Sequence, residues 1–436
     1  MAINTGPGAG SATGSARSVR ESARPAAGRS RHHSFGFWIA AAAFLVNMGF
    51  SAVPTPLYVL YQHRDHFSTI MVTVVYAVYA VGVVASLFLG GHASDWVGRK
   101  RVFVPALLVN VLAAVIFVLA PSLPGLLVAR VVSGISVGLT TATATAYLGE
   151  LHLGKFGDGT PRSGRLAQIV ATAANLGGIG FGPLVSGLLA QYAPQPLRLP
   201  FILFAVVLVV LAVLVAVSPE TALRPDPAPA WRPQRVAVPS HVRRTFFAAT
   251  SAGVASFAVY GVFNSLAPSF LAGTLHQSSY ALAGAVAFAA FASGAVAQIA
   301  LGKAGMRLTL RVSPFVLIPG LALLTGGMWS ASLAMFLVGG VITGAGGGLV
   351  FRGALATAGS TAPPESRAEV LSGYFLGAYI GLSVPVVGLG IATRYAPARE
   401  VMLVFVVIVA IAVVAAVATC TRAVVTSAAP SGQRSA

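Results

Sequence analysis

Hydrophobic and polar positions divide this chain into long apolar stretches separated by short polar joints. Twelve stretches, at 36–61, 69–90, 102–120, 123–148, 166–192, 199–217, 245–271, 280–301, 312–328, 331–358, 370–393 and 401–418, are the candidates for helices that cross a bilayer. About 20 apolar residues rising 1.5 Å each match a hydrocarbon core of about 30 Å. Lipid offers backbone groups no hydrogen-bonding partner, so such stretches satisfy themselves as helices. The pattern predicts an all-α polytopic membrane protein of twelve transmembrane helices. The longest joint, 218–244, is rich in proline and arginine and splits the spans six and six. The expected organisation is an unstructured basic tail over 1–35, a six-helix bundle over 36–217, a linker over 218–244, a second bundle over 245–422 and a tail over 423–436.

Composition strengthens this picture. The chain is 56% hydrophobic and 9% charged, against about 25% charged in soluble domains, which excludes a soluble globule. A formal charge of +18 would suggest nucleic acid as the partner of a soluble basic protein, but here the cations sit between spans and no nucleic-acid partner is expected. Of the 28 lysines and arginines, all but Arg64, Arg130, Arg198, Arg352, Arg394 and Arg399 fall in the two tails or in joints that follow even-numbered spans. Cationic joints stay on the cytoplasmic side, so both termini are expected in the cytoplasm and the protein in the cell (plasma or inner) membrane, among membrane lipids. The single cysteine, Cys420, allows no intrachain disulfide. Neither a phosphate-binding loop nor a metal-ligand cluster is legible, so no cofactor, no metal and no enzymatic chemistry are expected, and a monomer is the simplest assembly.

The halves repeat. YAVYAVGVVASLFLG at 76–90 aligns without gaps on FAAFASGAVAQIALG at 288–302, pairing Tyr76 with Phe288, Tyr79 with Phe291 and Gly82 with Gly294. QYAP and RYAP mark a second alignment, matching Gly178, Gly187 and Tyr192 with Gly381, Gly390 and Tyr395. In the fourth span Arg130, Gly134, Gly138 and Ala142 form one helical stripe; the tenth span repeats it as Gly340, Gly344, Gly348 and Arg352, with the cation at the other end. Parallel repeats of six spans suit alternating access, in which one half rocks against the other around a central site. An arginine near a span centre costs about 2.5–3.5 kcal/mol on insertion scales. Arg130 and Arg352 therefore either serve the pore or snorkel to the nearer interface.

Three motifs carry a resemblance. GHASDWVGRKR, with Gly91, Asp95, Gly98, Arg99 and Arg101, resembles the loop signature G-x3-D-[RK]-x-G-[RK]-x-[RK] of the major facilitator superfamily, Trp96 standing where a cation is usual. LLVARVVSGISVG resembles that family's fourth-span motif. GIGFGPLVSG, with Gly178, Gly182, Pro183 and Gly187, resembles the fifth-span signature of its antiporter branches. The resemblance implies the twelve-span major facilitator fold, a latch at the loop that braces the second span against the eleventh, a role assigned to Asp95, and a part for Arg130 in proton transfer. The proton-relay candidates are Asp95, Arg130 and Glu150, since all ten acids lie in tails, loops or span ends.

Breaks at Pro54, Pro56, Pro268 and Pro385 point towards a cavity. Candidate cavity residues are Asn47, Asn175, Asn264, Arg352 and Tyr379, with Asn110, Gln298, Tyr76, Tyr79, Tyr260, Phe263 and Tyr374 as further polar or stacking groups. By its resemblance to drug:proton antiporters of the twelve-span branch, the chain is expected to export small hydrophobic or amphipathic compounds in exchange for protons. The alternative is import or facilitated passage of a small metabolite such as a sugar or organic acid. A membrane sensor or scaffold is a third possibility, although no appended soluble domain is legible to signal through.

Overall fold

The computed structural model describes residues 27–66, 68–90, 93–156, 161–222, 238–362 and 367–426. Gly91, most of the amino-terminal tail and the middle of the linker lie outside them. Among the described residues twelve helices are long and apolar enough to cross a membrane. In order, the spans are Ala27–Ala52, Thr69–Gly90, Arg99–Leu119, Leu123–Phe156, a fifth that runs from Pro161 to Tyr192 in three segments, Leu199–Val217, Arg243–Ser265, Tyr280–Ala300, Met306–Trp329, Leu333–Thr361, Arg367–Ala392 and Ala398–Thr426. An even number of crossings returns both termini to the same face, called here the terminal face.

The first span is shorter at its far end than its apolar run, and it begins earlier than the run does. Helix starts at Ala27, inside the stretch expected to be an unstructured tail, and ends at Ala52. Pro54 and Pro56 supply no backbone donor, so the chain turns there and resumes as the short helix Tyr58–Asp65. The seventh span breaks in the corresponding place: it stops at Ser265, and Pro268 sits in the first turn of Ala267–Gly273. Spans four, nine and twelve extend past their apolar runs at one or both ends. Helical hydrogen bonding continues there through polar residues that hydropathy alone assigns to joints.

Two buried clusters form the interior, one built almost wholly of residues before Val215 and one of residues after Phe246. Outward-facing apolar side chains, among them Leu112, Val213, Phe315 and Ile411 on the third, sixth, ninth and twelfth spans, are exposed, as expected where lipid rather than water is the neighbour.

Small residues bring the helices together in a two-fold pattern. A Cβ on Gly134 would stand 2.1 Å from the Tyr79 carbonyl oxygen, and one on Gly344 would stand 2.1 Å from the Ala290 carbonyl oxygen. The fourth span thus seats on the second as the tenth seats on the eighth, through glycines that the repeat pairs and carbonyls one position out of register. Between halves the same rule holds. Gly187 of the fifth span meets Tyr280 at the start of the eighth, and Gly390 of the eleventh meets Thr73 at the start of the second.

Candidate functional site

A cavity of about 80 Å³ lies between the halves, part-way along the spans. Ser51, Tyr76, Tyr79, Arg130, Thr141, Asn175, Leu176 and Ile179 line it from one half, and Phe257, Tyr260, Asn264, Phe291, Phe351, Phe375, Tyr379 and Leu382 from the other. Of the expected cavity residues, Asn175, Asn264 and Tyr379 are there, as are Tyr76, Tyr79 and Tyr260.

Asn47 and Arg352 are not. Asn47 is fully buried within the first bundle, where its amide donates to Ser136 Oγ (3.1 Å) and Thr140 Oγ1 (2.9 Å) and its carbonyl accepts from Asn110 (2.8 Å). It binds three spans together and has no face left for a ligand. Arg352 donates to the Gln298 carbonyl and, at 3.0 Å, to the Gly302 carbonyl. These belong to the end of the eighth span, whose last carbonyls have no partner within the helix, so Arg352 caps a helix rather than facing the cavity. Tyr374 and Phe263 are likewise core residues.

Arg130 does not snorkel. It is 2% exposed, on the cavity wall, and its Nη1 donates to the Ser51 carbonyl at 2.5 Å. Ser51 sits in the last turn before the proline break, so its carbonyl is one that the helix leaves free. Longer contacts of 3.4 Å run from Nε to the Val75 carbonyl and from Nη2 to the Tyr76 carbonyl. The guanidinium lies over the Tyr79 ring at 4.6 Å and the Tyr76 ring at 5.5 Å, distances that give cation–π attraction. Among the described residues Arg130 is also the only ionisable acid or base on the cavity wall apart from the tyrosine hydroxyls.

The fifth span reaches the cavity through a local widening. Ala173–Gly177 forms one π-helical turn, with Asn175 in the middle, and such turns redirect side chains at functional sites. Beyond it, a Cβ on Gly178 would stand 2.5 Å from the Leu45 carbonyl oxygen and one on Gly182 would stand 1.9 Å from that of Gly49. Both glycines seat the fifth span on the first. Gly187 and the Pro183 carbonyl, approached by Gly284, seat it on the eighth. The glycine-proline motif is therefore the meeting line of one bundle with the other.

At the terminal face the loop motif forms a compact charged cluster. Gly98 adopts φ +121°, a conformation that favours glycine, and the helix starts at Arg99. The Glu220 carboxylate accepts from the Arg99 backbone N–H at 2.8 Å, an anion at a helix N-terminus. The Arg99 side chain donates to Glu150 (2.7 and 3.0 Å), to Ser94 Oγ (2.8 Å) and to Asp95. Lys100 donates to the Ala216 and Ser218 carbonyls at 3.0 and 3.1 Å, fastening the end of the sixth span. Arg101 is exposed. These bonds close within the first bundle. The centre of the cluster is Arg99, and Asp95 is its more exposed partner.

The relay candidates lie at two places. Arg130 and Glu150 occupy the same helix, about 30 Å apart at 1.5 Å per residue, with Asp95 beside Glu150's partner. Where the halves meet through hydrogen bonds, the contacts fall towards the face opposite the termini: Gln191 accepts from the Tyr280 N–H at 3.0 Å, Ser383 donates to the Ala77 carbonyl at 3.2 Å and Thr55 approaches Asn264 at 3.5 Å.

This arrangement, two pseudo-equivalent bundles around a central cavity, agrees with what the sequence matches. A sequence profile described as the Major Facilitator Superfamily covers residues 37–333. The chain belongs to the major facilitator superfamily. It is accordingly a multi-pass membrane transporter of a small molecule rather than an enzyme. No curated protein matches it. Among solved structures it is similar to the nucleoside transporter NupG, with a TM-score of 0.66 at 12% identity over 88% of this chain and 99% of that one. It is also similar to a bacterial homolog of the human lysosomal transporter Spinster in an inward-facing, unoccupied conformation, with a TM-score of 0.70 at 15% identity over 92% of this chain and 99% of that one. At such identities the likeness carries the fold alone.

Sequence reading missed the Glu220 contact, the π-helical turn and the phenylalanines of the cavity wall. A signal for the last did exist. The repeat that pairs Tyr79 with Phe291 also pairs Thr141 with Phe351, Leu176 with Tyr379 and Ile179 with Leu382, and every member of these pairs lines the cavity.

Proposed function

We propose that this transporter exports small hydrophobic or amphipathic compounds across the cell membrane in exchange for protons, as a monomer with both termini in the cytoplasm. The single observation that carries the reading is the wall of the central cavity, where eight of the lining side chains are aromatic. Aromatic surface binds flat apolar compounds through area and stacking, and few fixed hydrogen bonds are demanded of them. The fifth-span motif, lying where the bundles meet, supports an exchange mechanism by its resemblance to antiporters. Alternating access then proceeds by parting the contacts around Gln191 and Ser383 while the terminal face closes, with Asp95 and the Arg99 cluster as the latch on that side. Proton coupling draws on Asp95, Glu150 and Arg130 as candidates.

A second reading, import or facilitated passage of a small metabolite such as a sugar or organic acid, has the amides of Asn175 and Asn264 and the hydroxyls of the lining tyrosines in its favour. Vesicles reconstituted with the protein and loaded with fluorescent amphipathic dyes of either charge separate the two. Uphill dye movement driven by an imposed pH gradient and abolished by a protonophore fits exchange. Downhill movement indifferent to the gradient fits the second reading and overturns the first.

A further inference from the structure

We infer that the central cavity selects anions: its preferred ligand is an aromatic carboxylate or a comparable flat monoanion, with the negative group on Arg130. This deepens the proposed function and rests on reading the cavity as the substrate site. An arginine removed from water needs a counter-charge or a dense set of acceptors. Arg130 is 2% exposed, and among the described residues it forms no ion pair. Among the described residues no aspartate or glutamate lines the cavity. Of its five N–H donors, one makes a close bond, to the Ser51 carbonyl, and two make contacts at 3.4 Å. The helix end at Ser51 offers only a partial negative charge, about half an elementary unit. Carbonyl dipoles and the faces of Tyr79 and Tyr76 meet part of the positive charge and no formal anion does, so donors remain for a ligand.

A second, independent feature points the same way. Tyr76 is 3% exposed and on the cavity wall, and its hydroxyl, close to the Asn264 side chain, makes no hydrogen bond of normal geometry. Buried hydroxyls are ordinarily bonded, and the ring that carries this one lies 5.5 Å from the Arg130 guanidinium carbon. A carboxylate accepting from Arg130 and the Tyr76 hydroxyl would satisfy both, while an aromatic ring attached to it would meet the stacked pair Tyr260 and Phe291, whose centroids are 4.5 Å apart, across the cavity. An organic cation placed here would face an unneutralised guanidinium with no carboxylate to offset it.

The test uses three probes that share one ring system: 2-naphthoate, 2-naphthol and 2-naphthyltrimethylammonium. Each is titrated against the purified full-length protein in detergent, with thermal stabilisation giving the apparent affinity. The inference expects naphthoate to bind at least tenfold more tightly than naphthol, with the cation weakest. In Arg130→Gln the preference should collapse to within about twofold while naphthol binding persists; Arg130→Lys should retain part of it, since charge without the planar fork remains. Tyr76→Phe should weaken naphthoate alone, by severalfold. If Arg130→Gln does not fold, Tyr76→Phe and the probe ranking on the unaltered protein still decide. Equal binding of all three probes, or tightest binding of the cation, overturns anion selection while leaving an aromatic transport cavity standing. Absence of binding by all three overturns both.

Discussion

The two halves present the same stripe of small residues with an arginine at opposite ends, and the two arginines have become different things. Arg352 lies at the terminal-face end of the tenth span and closes the last turn of the eighth by bonding its free carbonyls. Arg130 lies near the other end of the fourth span, buried at the cavity, bonded to the broken end of the first. In the first half the terminal-face position is held instead by Arg99, reaching Glu150 from the first turn of the third span. The scaffold is thus shared and the charge chemistry is not: one arginine holds a helix end, the other offers charge to the transport path. Close helix seating tolerates no variation and repeats, whereas the cation, having several places from which to hold a helix end, was free to diverge.

The largest expected effects test the shared part. Gly134→Ala and Gly344→Ala each force a Cβ against a backbone carbonyl of the neighbouring span, and each should lower stability by about 3 kcal/mol, seen as a comparable fall in thermal midpoint. Gly388→Ala, which meets nothing within 4 Å, should leave the midpoint in place. A neutral Gly344→Ala beside a damaging Gly134→Ala would break the equivalence of the halves.

The next effect sharpens the difference. Arg99→Met leaves Glu150 without its ion-pair partner and with only the Thr221 hydroxyl donating to it, and should cost about 2 kcal/mol, while Arg352→Met removes bonds to neutral carbonyls and should cost about 1 kcal/mol. Chemical unfolding in detergent measures both, and the reverse order would contradict the roles assigned. The smallest effect concerns Asp95, whose side chain is 60% exposed. Asp95→Asn should change stability by less than about 0.5 kcal/mol, yet it should shift the accessibility of cysteines placed along the second and eleventh spans. Unchanged accessibility would remove Asp95 from the latch.

Much of this was legible because lipid imposes simple rules. The count of spans, their division and the proline breaks at Pro54 and Pro268 follow from length, apolarity and a missing donor. The resting places of the polar residues do not. Asn47 and Asn175 are equally plausible as pore residues in sequence, but helix rotation turns one into the bundle and a π-helical turn aims the other at the cavity. Arg99 and Glu150 are 51 positions apart and joined only by folding. The phenylalanines at 257, 351 and 375 read as ordinary apolar filler until the repeat is projected onto the cavity wall.

The central claim is that two equivalent bundles rock about the cavity. It is tested most directly by spin-label distances across both faces of one protein: Tyr192 with Gln277 on the side away from the termini, and Leu153 with Ser360 on the terminal side, all exposed positions. With pH and added 2-naphthoate as the variables, the account predicts two populations whose distances move in opposite senses, one pair lengthening as the other shortens. Distances that stay fixed on both faces, or that lengthen together, would contradict it.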